Sequence, residues 1–449
     1  MVREKKIVIV GAGLVGSLLG VMLGKRGYEV DLFERRSDER NRGVASGRSI
    51  NLALSSRGIK ALQDAGLYEK VKPLLIPMCG RMLHQQDGSM QFSPYGQREH
   101  EVIYSVPRGE LNNLMVNEAV VAEPVHVHFD QKCAGIDFEN RVAKFESTVD
   151  GSTTERSFDL VIGADGAGSR VRRDLIAATG GESTSEFLEH DYKELEIPAG
   201  VDGAYQIEKE ALHIWPRGGF MLIALPNLDG SFTVTLFLHK EGEPSFQSLD
   251  SVDAVKAFFE THFPSAIPLM PELEQDYANN PTGILGTVRC SPWHHTDCGL
   301  ILGDASHAIV PFHGQGMNSG FEDCSELLRL LNEYDEDWAA VLPEFSALRK
   351  PNADAIADMA IENHTTMQKS VIDPKFHLKK AIGFELEKRF PETFIPRYSL
   401  VMFHNLPYAE AKRQGVVQEE ILNQLVDGVD ELASIDFDLA ERLVKAKLT

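Results

Sequence analysis

Apolar residues first cluster at Ile7–Val10, all β-branched, and then recur as Leu18, Leu19, Met22 and Leu23. A short apolar run followed by apolar residues three to four apart predicts a buried strand leading into a helix. Glu29–Phe33 predicts a second strand ending at Glu34, and Ser55 to about Ala65 a helix closed by Gly66. From about Met78 to Phe92 the pattern alternates around Asp87-Gly88, a hairpin turn signal. A helix with a buried face is predicted over 109–122, and strands near 125–129, 142–147 and 158–162. Ser169 is placed to cap the helix after the last of these. The stretch from about Tyr192 to Leu238 is β-rich, with a hairpin formed by 220–225 and 232–237 around Asn227–Gly230. Gly299–Leu302 predicts one more buried strand, and the chain beyond about Phe321 reads as helical. The order predicts an α/β protein whose nucleotide fold is discontinuous, with a mixed β-sheet inserted between its segments and helices at the end.

Three turns at strand ends carry candidate chemistry. The first, Gly11-x-Gly13-x-x-Gly16, has the spacing of a dinucleotide site. Gly11 permits the turn, Gly13 lets backbone N–H groups reach phosphates, and Gly16 lets the helix pack on the strand. Leu14 and Val15 open that helix. Glu34, about 20 residues on, could accept ribose hydroxyls, and Arg35 or Arg36 could contact ribose or phosphate. The second turn is Gly163-Ala164-Asp165-Gly166. The third, Gly303-Asp304, runs on to Pro311, Gly314, Gln315, Gly316, Met317 and Asn318. Ligands in parallel sheets collect at the strands' carboxyl ends, so three such ends can converge on one extended cofactor. Asn363 lies on a stripe with Ile356, Met359 and Ala360, an amide on an otherwise apolar helix face, and a buried amide needs a partner.

The 449-residue chain carries a formal charge of −22, which argues against nucleic acid, since phosphate binding needs a basic surface. Five scattered cysteines without a C-x-x-C pair argue for reduced thiols, and no His/Cys cluster has metal-ligand spacing. No signal peptide, membrane anchor or apolar run of about 18 residues is apparent, so a cytoplasmic protein is expected. No G-x-S-x-G elbow is present for a hydrolase.

The three turns, in this order and spacing, resemble the single-component flavin aromatic hydroxylases, and Arg108 in Ser105-Val106-Pro107-Arg108 matches an arginine these enzymes place near the flavin. Further words are similar to the branch of that family acting on L-kynurenine: Gly47–Ser55, Gly80–His84, Asp191–Leu195, His213–Gly218 and Gly303–Cys324. The resemblance spans roughly residues 5 to 405. It implies a Rossmann-like FAD-binding domain from 1–75, 100–180 and 285–345, a substrate-binding sheet domain from 76–99 and 185–284, and a helical region over 346–449. It implies FAD and NADPH as cofactors and L-kynurenine and O₂ as substrates, with room for a homodimer. Arg81, Tyr95, Asn363 and Tyr398 stand where the family holds the carboxylate and amino group. Met221, Ile223, Leu225 and Phe237, with Phe312 and His313, are expected to wall the aromatic ring. The implied reaction is hydride transfer from NADPH to FAD, addition of O₂ as a C4a-hydroperoxide, and attack by the ring. No catalytic acid or base is assigned. A hydroxylase of another aromatic acid and a non-catalytic flavin-fold scaffold stay open as alternatives.

Overall fold

A computed structural model describes residues 3–38, 51–369 and 373–448. Arg40, Arg42 and the Gly47–Ile50 part of the family-like word lie outside the described residues. The chain divides into two compact units. The first comprises 1–75, 106–187 and 286–357, and the second 76–105, 188–285 and 358–449.

The first unit is built on a six-stranded sheet ordered His294–His295, Gly299–Ile301, Leu160–Gly163, Arg3–Val10, Tyr28–Phe33 and Val125–His128. All its pairings are parallel except that of the short His294–His295 edge. Ile7, Val8, Ile9, Leu160, Val161, Ile162, Leu300 and Ile301 are essentially inaccessible, as expected for strands covered on both faces. The helix Leu14–Lys25 follows the first strand, and Arg108–Val121 packs against it. A small antiparallel sheet, Gln131–Asp137, Val142–Ser147 and Thr153–Ser157, is a side element.

Most of the mixed sheet belongs to the second unit; its strands are ordered Thr282–Ser291, Glu182–Ile197, Phe232–His239, Met221–Pro226, Ala211–Pro216, Gly80–His84 and Met90–Pro94. Direct pairing puts residues on a common face. Leu222, Ala224, Val234, Leu236 and Trp215 share one face, which packs with Phe258, Phe259 and Phe263 into a core. Those phenylalanines belong to the helix Val252–His262 and its C-cap, which the periodicity did not reveal.

The stretch 346–449, expected as one helical region, is shared between the two units. The helix Trp338–Lys369 runs through the boundary, and Arg349 within it is bound to Asp323 of the first unit. Beyond residue 358 the helices cluster with the mixed sheet. Gln97 reaches Phe384 and Glu387, and Lys380 reaches Ser93 and Pro94. Polar side chains, which a hydropathy pattern leaves on the solvent side, tie these helices down.

Candidate functional site

In the first unit the three turns meet. Val10 is level with Gly163, and Gly163 with Ile301, so three strands end side by side. A Cβ on Gly11 would stand 2.5 Å from the Ala164 carbonyl oxygen, and Gly11 itself has φ +102°. A Cβ on Gly16 would overlap the Gly11 carbonyl, whereas one on Gly13 would meet nothing within 4 Å. The first and last glycines are therefore fixed by packing, and Gly13 faces open space. Val15 packs against Gly303 and Gly320, joining the first turn to the third.

Glu34 is buried, and its carboxylate accepts from the Ala12 N–H at 3.0 Å and from the backbone and guanidinium of Arg36. Burial opposes its ionisation, but the Arg36 bonds outweigh it and hold the carboxyl below its ordinary range. Arg35 is exposed. Asp165 turns back on its own chain: it accepts from Ser169 Oγ and from the N–H groups of Arg170 and Val171. Ser169 in turn caps the helix Arg170–Thr179 by accepting from Arg172 N–H. Gly166, at φ +79°, closes this turn. Asp304 is exposed after Gly303, and Arg108 is exposed at the start of its helix with no ion pair among the described residues.

The Gly314–Asn318 segment is braced from within. Asn318 accepts from Ser55 N–H and donates to Ala53 and Gly314 carbonyls, while Gln315 donates to Ser55 Oγ. The helix Gly316–Glu333 begins with no side-chain cap, as does Leu14–Lys25. Uncapped N-termini leave N–H donors for an anionic or partly negative ligand. Two such termini, an open Gly13 and an ionised Glu34 fit FAD: Gly11–Gly16 would hold the diphosphate, Glu34 the adenosine ribose and Gly314–Asn318 the flavin carbonyl oxygens. Pro311, Phe312 and His313 form the turn before that helix, with Phe312 and His313 buried.

A buried ion network missed by the sequence reading stands behind the third turn. Asp323 is inaccessible and accepts from Gly303 N–H at 2.8 Å, His307 Nε2 at 2.6 Å and Arg349 Nε at 2.7 Å. Arg349 and Arg57 both pair with Glu322. A signal existed: Asp323 shares a stripe with Gly320, Leu327 and Leu330, an acid on a buried helix face.

In the second unit, register collects the expected substrate residues. Arg81 pairs with Leu212, Ile214 with Ile223, and Met221 with Phe237. Arg81, Met221, Ile223, Leu225 and Phe237 therefore share the sheet face opposite the phenylalanine core. Tyr95 and Tyr398 stack at 5.6 Å between centroids, and the Arg81 guanidinium lies 5.7 and 5.1 Å from their rings. Arg81 Nε and the Tyr95 hydroxyl are buried without a hydrogen bond of normal geometry, the hydroxyl lying near the Arg81 guanidinium and the Tyr398 hydroxyl. Lys380, also half-buried, donates to Ser93 Oγ at 2.6 Å and Pro94 O at 2.8 Å. Burial, then the Arg81 charge, pushes its ammonium down to about 7. Asn363 sits on the Trp338–Lys369 helix and donates to Met367 Sδ at 3.6 Å. Lys380 escaped the sequence reading because it lies off the Leu378–Ile382–Leu386 stripe and so reads as a solvent-facing lysine.

Among the described residues no group of three His, Cys, Asp or Glu could hold a metal, and no helix is long and apolar enough to cross a membrane. Residues 4–360 match the FAD binding domain family. The chain is 44% identical over 447 residues to kynurenine 3-monooxygenase of Myxococcus xanthus, covering all of this chain and 96% of that one. It is 44% identical to the Stenotrophomonas maltophilia enzyme of the same name, covering 99% and 97%. The fold is similar to that of 2-methyl-3-hydroxypyridine-5-carboxylic acid oxygenase, at TM-score 0.67 and 19% identity, covering 86% and 98% of the two chains. It is also similar to PqsL of Pseudomonas aeruginosa, described as a probable FAD-dependent monooxygenase, at TM-score 0.65 and 19% identity, covering 81% and 96%. With its glycine turns, ionised Glu34 and uncapped helix starts, the chain belongs to the kynurenine 3-monooxygenase family of FAD-dependent monooxygenases.

Proposed function

We propose that this chain hydroxylates L-kynurenine to 3-hydroxykynurenine with FAD, NADPH and O₂. The observation that carries the substrate assignment is the recess around Arg81: a guanidinium and an ammonium held together without a carboxylate among the described residues, beside an orphaned tyrosine hydroxyl. Such a set is stabilised by an arriving anion. Kynurenine brings a carboxylate, an ammonium and an aromatic amine.

Bound FAD, once reduced by NADPH, supplies the activated oxygen. In this reading the chain binds and orients. Arg81 and Tyr95 hold the carboxylate, and Asn363 and Tyr398 orient the amino-acid head group. The face of Met221, Ile223, Leu225 and Phe237 covers the ring and excludes water, which protects a reactive oxygen donor from unproductive decay. The ring's own amino group activates the carbon beside it, so no acid or base is required of the protein.

The test is NADPH oxidation by the purified yellow protein, with product identified. Kynurenine is expected to accelerate oxidation and to yield 3-hydroxykynurenine. Stimulation by a hydroxybenzoate-type acid, and none by kynurenine, would move the assignment to another aromatic acid.

A further inference from the structure

We propose that Lys380 is a specificity-determining residue, a second cation that binds the α-carboxylate of the substrate and makes the recess select amino acids over amines. The proposal rests on the functional reading above and adds a residue to it.

The placement is built rather than incidental. Ser93 and Pro94, which accept from Lys380, lie on the strand Met90–Pro94, where Ser93 pairs with Arg81 and Pro94 with Gly80. The next residue is Tyr95, whose buried hydroxyl is orphaned. Lys380 is thus pinned to the backbone that carries the two other anion-seeking groups. Its ammonium has three donors; two are used on neutral oxygens, and the third makes no hydrogen bond among the described residues, the ammonium lying 5.4 Å from the Phe384 ring.

An ammonium and a guanidinium close together in a half-buried recess repel each other, and removing them from water adds to the cost. A fold keeps such a pair where an anion completes it. Lys193 is an instructive contrast. It donates to two carbonyls, of Tyr277 and Asn280, where Lys380 donates to a hydroxyl and a carbonyl, and like Lys380 beside Phe384 it stands near a ring, 4.6 Å from that of Tyr277. Among the described residues no arginine charge acts on it, so it serves as a tie for that loop. Lys380 could in principle be such a tie, holding Ser93 and Pro94 in place. The two roles differ in what happens to a ligand without a carboxylate.

The experiment measures binding of kynurenine and of its decarboxylated amine to the flavin-loaded wild type, Lys380→Met and Lys380→Arg by titration calorimetry. Loss of a charge-assisted hydrogen bond is expected to weaken kynurenine about tenfold or more in Lys380→Met. The amine is expected to change by less than about twofold, and Lys380→Arg to keep kynurenine within about threefold of wild type. Equal weakening of both ligands in Lys380→Met would assign Lys380 a purely structural tie and overturn the proposal. So would undiminished kynurenine affinity. A wild type that binds the amine but gains nothing from the carboxylate would overturn the functional reading with it. Flavin content, measured by absorbance, is expected to stay the same in all three proteins.

Discussion

A hydroxyl buried with no partner destabilises a folded chain by about 1–3 kcal/mol. The Tyr95 hydroxyl makes no hydrogen bond of normal geometry, with only 4% of the residue exposed. Tyr95→Phe is therefore expected to raise unfolding free energy by about 1 kcal/mol in chemical denaturation, while weakening kynurenine. Arg81→Ala is expected to weaken kynurenine by about 2–5 kcal/mol, as for truncating one partner of a buried charged contact, and an unchanged KM would remove Arg81 from the site. The Lys380 ammonium, buried and repelled by the Arg81 charge, has its pKa lowered to about 7 from 10.5. The unfolded chain then holds more protons between those values, so this group makes stability rise with pH across that window. Carboxylate binding runs the other way. It needs the charged form, so kynurenine affinity is expected to fall as pH rises above about 7, and to stay level in Lys380→Arg. The singling out of Arg81 was legible because a strand arginine without a nearby acid asks for a partner, and the structure puts it beside Tyr95 and Tyr398. That of Lys380 was not, since a lysine off the apolar stripe reads as solvated until its partners are placed.

Elements were legible where their period was clean. The glycine turn, the Gly80–His84/Met90–Pro94 hairpin and the helix from Arg108 follow the sequence pattern. The strand Thr153–Ser157 was not, being almost wholly polar and exposed. Nor was the bracing by Asp165, which accepts from the first N–H groups of the helix that follows it. Asp323 binds two elements into one. Burial raises the pKa of its carboxyl, but His307 and Arg349 prevail and hold it at about 2. A depressed carboxylate stabilises fully above its unfolded value of 3.8, and that contribution is lost as pH falls towards 2. Asp323→Asn leaves Arg349 short of a charge and is expected to cost about 3–5 kcal/mol in unfolding free energy. Flavin content is expected to drop too, because the Gly303 turn loses its anchor.

At the scale of the whole molecule, the acidic end of the chain covers a core of its own unit. Ile382 and Leu386 pack with Ile421, Leu425, Ala440 and Val444. The helix that supplies Ile382 also carries Lys380. Deleting residues 436–449 uncovers that core and is expected to lower kynurenine affinity while flavin content persists, because the three glycine turns that would hold flavin belong to the other unit. Absorbance and calorimetry separate the two losses. The division itself was only partly legible: hydrophobic periodicity marks the strands, but the assignment of the last helices depends on polar ties such as Gln97 to Glu387.

The first unit is assembled from three separate stretches, the last of which ends at residue 357 of 449. During synthesis, the glycine turn leaves the ribosome early, yet the Gly303 turn and its Asp323–Arg349 anchor emerge only when about four-fifths of the chain has been made. Flavin capture is therefore a late event in the life of the nascent polypeptide. A message truncated before codon 286 would give a product that carries the dinucleotide fingerprint and remains colourless.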